Sequence, residues 1–132
     1  MPEDFSHLSE HVTQELIGGF LLSYFRSVRT ESDVELARDF HPEKTESGTI
    51  QRVDFAILER STGRPLAIFE MATKKANLEQ KAKLLSRSRA LVPQEQHPKI
   101  MAGLVVPNSI SKDADVSTCA KKHGLQLVTY PG

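Results

Sequence analysis

The first forty residues combine a long helical repeat of apolar residues with a short alternation typical of a strand. Between residues 6 and 28, apolar side chains recur at helical spacing, which predicts a helix capped by Ser6. The repeat forms two adjacent rows, namely Leu8, Val12, Leu16, Phe20 and Tyr24, and Ile17, Leu21 and Phe25. Gly18-Gly19 interrupts it and predicts a kink or a close packing contact. Residues 33–40 predict a strand with one apolar face, made by Val34, Leu36 and Phe40.

Two further apolar runs predict the strands of a β-hairpin: residues 51–59 and 65–72. The Ser-Thr-Gly segment between them fits a three-residue loop with glycine at the left-handed position. That loop pairs Arg60 with Arg64 and, counted outward, places Asp54 opposite Glu70 on one face. The prediction depends on the loop length, because a slip of one residue would put the two carboxylates on opposite faces.

The second half of the chain alternates helices and strands. The predicted elements are a helix at 77–91, a strand at 99–106, a helix at 111–123 and a strand at 125–130. Asn77 and Ser111 are the expected caps, and Gly124 ends the last helix. Residues 41–49 and 93–98 are expected to be irregular, and 107–109 a turn. The order αβββαβαβ predicts an α/β fold in one domain spanning residues 1–132, with a central mixed sheet flanked by helices.

Each strand of the predicted hairpin carries one carboxylate within an apolar run, Asp54 in the first and Glu70 in the second. A carboxylate in such a place is costly to desolvate unless it is paired or binds a cation. Two that meet across a hairpin indicate a site for Mg²⁺ or Mn²⁺, since hard cations take oxygen ligands and magnesium keeps several waters. The pattern alone leaves open solvated strand ends, or pairing with Arg52.

Two lysines follow the second acid, and the order acid, acid, lysine is the outline of a metal-dependent nuclease centre. Lys74 shares strand parity with that acid, whereas Lys75 needs a turn to reach it. A lysine there can position the attacking water or stabilise the transition state; the alternative is a solvated pair in a loop. Glu35 on the first strand is the expected third metal ligand, with Glu10 and Glu15 on the first helix as alternatives.

A basic stripe lies in residues 74–89, although the formal net charge of the chain is zero. Zero net charge does not favour non-specific nucleic-acid binding, but a local stripe can hold a phosphate backbone. The expected DNA-contacting residues are Lys81, Lys83, Arg87 and Arg89. The alternative is a solvated helix face.

The composition excludes two classes of protein. The single cysteine, Cys119, rules out a disulfide framework, and we expect it to be packed in a helix. No apolar run approaches the length of a membrane span, and no signal-peptide pattern begins the chain. We therefore expect a cytoplasmic protein with no membrane association. None of the five histidines shows a convincing metal-binding spacing.

Over most of its length the chain resembles the PD-(D/E)xK restriction-endonuclease-like nuclease superfamily. Val53-Asp54 is similar to the first acidic motif and Ile68-Phe69-Glu70 to the second. Residues 103–110 and 121–128 are similar to the C-terminal half of small archaeal-type and Holliday-junction-resolvase-like members. The resemblance implies a mixed sheet flanked by helices and magnesium-dependent DNA hydrolysis. The family's lysine lies two residues after the second acid, where this chain has Ala72.

Two functions follow from these patterns. The first is a metal-dependent DNA endonuclease, a hydrolase in which Asp54 and Glu70 hold the metal and Lys74 or Lys75 replaces the motif lysine. The second is a nuclease-fold module that has lost catalysis and binds nucleic acid or a protein partner, which Ala72 and the zero net charge favour. Either function is compatible with a homodimer or with a larger protein partner.

Overall fold

A five-stranded mixed sheet forms the centre of the protein. The computed structural model describes residues 8–28, 33–40, 52–91 and 100–131. The strands lie side by side in chain order: β1 Val34–Phe40, β2 Val53–Glu59, β3 Pro65–Met71, β4 Met101–Pro107 and β5 Gln126–Tyr130. Strands β1 to β3 are antiparallel neighbours, and β3 to β5 are parallel. The predicted α/β class with a mixed sheet is confirmed; Ser6 and the irregular segments 41–49 and 93–98 lie outside the described residues.

Helices cover both faces of the sheet. They are α1 Glu10–Val28, α2 Leu78–Leu91, α3 Asn108–Ser111 and α4 Ala114–Lys122, with a 3-10 turn at Lys75–Asn77. One core lies under α2 and α4, where Leu85 and Val116 pack against strand residues such as Ile68. The other lies under α1, where Leu21 packs with Phe69. Helix α2 therefore approaches β3 from one face and α1 from the other.

Helix α1 buries only one of its two apolar rows. The buried row is Thr13, Ile17, Leu21 and Phe25, and the row that stays exposed is Val12, Leu16, Phe20 and Tyr24. Phe20 is the most exposed of them, at 65%. The helix begins after Ser9, whose hydroxyl accepts a hydrogen bond from the backbone N–H of Val12 at 3.2 Å.

The predicted caps of the other helices are wrong. Asn77 lies in the 3-10 turn, and Ser111 ends α3, a short helix where a plain turn was expected. Asp113 caps α4 instead: its side chain accepts a hydrogen bond from the N–H of Asp115 at 2.9 Å. Asp113 lies two residues after the expected cap, Ser111, and aspartate is itself a strong cap, which explains the shift.

The alternation of β1 changes at Asp39, which has a left-handed φ of 51°. Val34 and Leu36 face α1 as expected, but Phe40 packs on the opposite face, with the α2 core. An aspartate tolerates the left-handed region better than most residues, because its side chain can hydrogen-bond locally. The prediction that Phe40 shares the face of Val34 and Leu36 is therefore wrong.

Gly18 marks a close packing contact. A Cβ at this position would lie 2.9 Å from Leu36 Cδ2, whereas Gly19 faces open space. Helix α1 can therefore approach the sheet closely at Gly18. Of the two predicted explanations for the glycine pair, the close contact is confirmed.

Candidate functional site

Asp54 and Glu70 meet across β2 and β3, but by a different route from the one predicted. The N–H of Glu59 donates to the carbonyl of Arg64 at 2.8 Å, so the loop has four residues and Arg60 does not pair with Arg64. A β-bulge between Ile57 and Leu58 then restores the register. Further out Phe55 pairs with Phe69, and the next step places Asp54 opposite Glu70.

Each carboxylate accepts a backbone hydrogen bond from the other strand. The N–H of Asp54 donates to Glu70 Oε1 at 2.8 Å. The N–H of Met71 donates to Asp54 Oδ2 at 2.9 Å. This reciprocal arrangement fixes both side chains at the point where β2 begins and β3 ends. We refer to Asp54 and Glu70 as the acidic pair.

Glu70 is nearly inaccessible, with 2% of its surface exposed. Burial disfavours the charged carboxylate and raises its pKa from 4.5 to about 7; the neighbouring charge of Asp54 acts in the same direction. The hydrogen bonds from Lys81 and from the backbone of Asp54 oppose the rise but do not cancel it. A buried acid that titrates near neutrality, beside a second acid, is typical of functional sites.

The lysine that reaches the acidic pair is Lys81, on the first turn of α2. Its Nζ donates to Glu70 Oε2 at 2.8 Å, and 32% of its side chain is exposed. Burial alone would lower the pKa of Lys81, but the hydrogen bond to Glu70 and the charges of Glu70, Asp54 and Glu10 raise it. Lys81 is therefore a charged group that touches the acidic pair and also reaches the surface.

Lys74 and Lys75 do not contact the acidic pair. Lys75 Nζ lies 2.8 Å from Asp113 Oδ2 and 3.0 Å from Asp115 Oδ2, so it links the 3-10 turn to the start of α4. Lys74 is exposed and, among the described residues, makes no hydrogen bond or ion pair with either carboxylate. The lysine beside the acidic pair is therefore Lys81, not Lys74 or Lys75. Lys81 had been expected to contact DNA.

The expected third carboxylate, Glu35, lies away from the acidic pair. It pairs with Leu58, four positions along β2 from Asp54, which is about 13 Å in an ideal strand. On α1, Glu15 is held by Arg38, with 2.6 Å between Oε1 and Nη1. Glu10 lies near enough for its charge to raise the pKa values of Lys81 and Tyr130. Of the three candidates, Glu10 is the one whose charge acts on Lys81.

Asp39 is an acid that the sequence analysis did not single out. The register that pairs Arg38 with Phe55 and Phe40 with Val53 places Asp39 opposite Asp54. Its side chain is exposed, and its left-handed backbone is unusual for a residue other than glycine. No sequence pattern distinguishes Asp39, because regular alternation in β1 places it on the face opposite Val34 and Leu36, like any other polar strand residue.

The predicted basic stripe on α2 is divided among different roles. Arg89 donates from both terminal nitrogens to the carbonyls of His123 and Gly124, each at 3.2 Å, and so caps the end of α4. Lys83 and Arg87 are exposed. At about 100° per residue, Lys83 and Arg87 are rotated about 200° and 240° around the helix axis from Lys81, so they face away from the acidic pair. They line a shallow groove with Ser86, Ala90 and His123.

A second cluster of polar side chains joins α2 to α4. Glu79 Oε1 lies 3.0 Å from His123 Nε2 and 3.2 Å from Lys122 Nζ, and the thiol of Cys119 donates to Glu79 Oε2 at 3.4 Å. These partners, His123 first, lower the pKa of Glu79 to about 2. The spacing of Cys119 and His123, one helical turn apart, is a signal that the sequence analysis passed over.

Comparisons with known proteins add no assignment. No protein-family model matches the chain, and no curated protein matches it either. Among the described residues, the helices lack the combination of length and apolar character that spanning a bilayer requires. The site must therefore be judged on its own chemistry.

Proposed function

We propose that the chain is a metal-dependent nuclease that hydrolyses DNA, with a sheet of the restriction-endonuclease-like type. The observation that supports this most is the contact among three groups: the acidic pair and the ammonium of Lys81. Keeping Glu70 in a nearly inaccessible position, with a raised pKa, works against stability. Such an arrangement is expected where a cation or a reacting group is to be held.

The donor set suits Mg²⁺ or Mn²⁺. The carboxylates of Asp54 and Glu70 offer hard oxygen ligands, and magnesium commonly uses one or two carboxylates together with water. The charge of Asp54 raises the pKa of Glu70, and a dication between them would remove that repulsion. When bound, the metal would activate water and neutralise the charge that develops on the phosphodiester.

Lys81 is the residue we propose for the role of the family's lysine. Ala72, at the family's position, is fully buried and carries no charge. The ammonium of Lys81 reaches the same acid from α2, across the face of the sheet, rather than from β3. Because it is fixed and partly exposed, it can donate to a phosphate oxygen and stabilise negative charge there.

The binding module without catalysis remains the second proposal, and one observation favours it. Both oxygens of Glu70 already have partners, Oε1 in the N–H of Asp54 and Oε2 in Lys81. A carboxylate with this set of partners can serve as a structural ion pair. Under this proposal the exposed Lys83 and Arg87 would contact phosphates or an acidic protein partner.

A cleavage assay with paired variants tests the first proposal. Supercoiled plasmid, linear duplex and single strands are incubated with magnesium, manganese or chelator. Asp54→Asn keeps an oxygen acceptor for the N–H of Met71 but removes the charge, so we expect a folded protein with cleavage reduced more than about 100-fold, since changes beyond the ligands alone cost about 10–100-fold. Lys81→Met should lose about 10²–10³-fold in cleavage, as removal of a transition-state donor does, whereas Lys121→Met, which alters an exposed lysine of α4, should cleave at the wild-type rate.

The other possible results of this assay decide between the two proposals and test the assignment of each residue. Absence of cleavage by the folded wild-type protein in every metal would refute the nuclease, and salt-sensitive DNA binding would then support the second proposal. Cleavage that survives Lys81→Met but is lost in Lys74→Met or Lys75→Met would show that the lysine is misassigned. Cleavage that survives Asp54→Asn would exclude the acidic pair.

A further inference from the structure

Glu79, Cys119 and His123 bring three different metal-binding groups together. A carboxylate oxygen, the thiol sulfur and an imidazole nitrogen all lie within 4.8 Å of one another. Cys119 and His123 are one turn apart on α4 and at its end, and Glu79 comes from the first turn of α2. Helix α2 thus supplies one ligand, and α4 with the residue that follows it supplies the other two.

This cluster is separate from the acidic pair. Glu79 and Lys81 are two residues apart on α2, which turns them about 200° from each other around the helix. Lys81 contacts Glu70, whereas Glu79 faces α4. The chemistry of the two sites also differs, since the acidic pair offers only oxygen ligands.

We propose that Glu79, Cys119 and His123 form a binding site for Zn²⁺, with a fourth position open to water or to an anion. Thiolate and imidazole select a borderline-soft transition metal over magnesium or calcium. Three protein ligands and one exchangeable position are an established zinc arrangement. Ordinary zinc–ligand distances in a tetrahedron imply ligand atoms about 3.3–3.6 Å apart. Glu79 Oε1 lies 3.0 Å from His123 Nε2, and Glu79 Oε2 lies 3.4 Å from Cys119 Sγ. One carboxylate oxygen, the sulfur and the nitrogen already lie within 4.8 Å of one another, so small side-chain adjustments bring them to the zinc spacing.

The charges in the cluster also suit a dication. A thiolate, a carboxylate and a neutral imidazole together balance Zn²⁺. Lys122 now supplies positive charge to Glu79, and with 64% of its side chain exposed it can move into solvent when a metal binds. His123 is held in place because Arg89 donates to its carbonyl oxygen.

The open position has a suitable neighbourhood for an anionic ligand. His123 lines the shallow groove that also contains Lys83, Ser86 and Arg87. Two cations beside a neutral metal site favour a small oxyanion over a neutral ligand.

Two measurements on the full chain test the proposal: the absorption spectrum with bound Co²⁺, and competition of Zn²⁺ for the same site. Co²⁺ should give the near-ultraviolet charge-transfer band of a thiolate ligand, the band should saturate at one equivalent bound to this site, and Zn²⁺ should abolish it. Cys119→Ala should remove the band, and His123→Gln should weaken Zn²⁺ binding more than about 100-fold, since changes beyond the ligands alone cost about 10–100-fold. Because Cys119 is buried, Glu79→Gln provides a second variant at a partly exposed position, and it should weaken binding similarly.

Two controls separate this site from others. His11→Gln alters an exposed histidine that also has a glutamate one turn away, and it should bind Zn²⁺ as the wild type does. Asp54→Asn should lose cleavage but retain zinc, so failure of the nuclease proposal would leave this one intact. Absence of a thiolate band, or undiminished zinc binding in His123→Gln and Glu79→Gln, would overturn the proposal.

Discussion

Replacing Glu70 by glutamine should stabilise the protein at neutral and alkaline pH, while removing a proposed metal ligand. Glu70 is 2% exposed, and burial raises its pKa from 4.5 to about 7. Because the folded state disfavours the charged carboxylate, ionisation of Glu70 lowers the free energy of unfolding by about 3 kcal/mol. Glutamine remains neutral and keeps an oxygen that can accept from the N–H of Asp54.

The direction in which stability changes with pH depends on whether the folded or the unfolded state binds the proton of Glu70 more tightly. The folded state holds the proton of Glu70 up to about pH 7, whereas the unfolded chain loses it near pH 4.5. The stabilisation is therefore complete below pH 4.5, declines as pH rises toward 7, and is absent above that. We expect Glu70→Gln to match the wild type at pH 4.5 and to exceed it by about 3 kcal/mol at pH 8.

Urea denaturation in the presence of chelator measures this difference. Free energies of unfolding are compared at several pH values between 4.5 and 8.5, and the m-values should agree between the two proteins. The control Glu35→Gln removes a carboxyl group from the same sheet and should retain the wild-type decline. A Glu70→Gln variant that is less stable than the wild type at pH 8 would refute the reasoning.

Three further predictions concern DNA binding, the packing of the sheet and the pH dependence of metal binding. Removing the charges of Lys83 and Arg87 should reduce the slope of log affinity against log salt by about two, as DNA titrations would show; an unchanged slope would exclude them. Gly103→Ala should cost about 1–3 kcal/mol in urea denaturation, because its Cβ would lie 2.8 Å from the Phe69 ring; wild-type stability would contradict this. Cleavage and Mn²⁺ affinity should increase through about pH 7, as Glu70 loses its proton; pH-independent binding would argue against Glu70 as a ligand.

The sequence predicts the sheet better than it predicts the ends of the helices. Apolar runs and alternation locate all five described strands to within about two residues, because burial in a sheet constrains long stretches of chain. Helix starts depend on single polar side chains, and several serines, asparagines and aspartates compete for each one. Ser111 and Asp113 show this directly, since both are good caps: Asp113 caps α4, whereas the hydroxyl of Ser111 donates to the carbonyl of Asn108.

The acidic pair could be predicted, although one step of the argument was wrong. The assumed three-residue loop is one residue too short, and a bulge compensates for the difference. Bulges depend on local backbone geometry, which the alternation of side chains does not encode. The longer loop and the bulge offset each other, so the predicted partner of Asp54 is correct.

Lys81 could have been found from helical geometry. It lies beside Leu78, Ala82 and Leu85, which form the buried row of α2, so it belongs to the margin of the face that packs on the sheet. The family motif instead directs attention to the strand and to the residues just after it. A motif defined by spacing along one strand cannot identify a lysine that comes from another element.

The origin of Lys81 on α2 makes the site dependent on two parts of the protein that can open separately. The acidic pair belongs to the β2–β3 hairpin, whereas Lys81 moves with α2, which is held to the sheet by Leu85 and its neighbours. Local detachment of α2 would leave Asp54 and Glu70 in register but expose them to water without their counter-ion. Native-state hydrogen exchange would detect this as earlier deuteration of α2 amides than of the hairpin. Weakening the packing of Leu85 would then reduce the fraction of molecules with an assembled site before it unfolds the sheet.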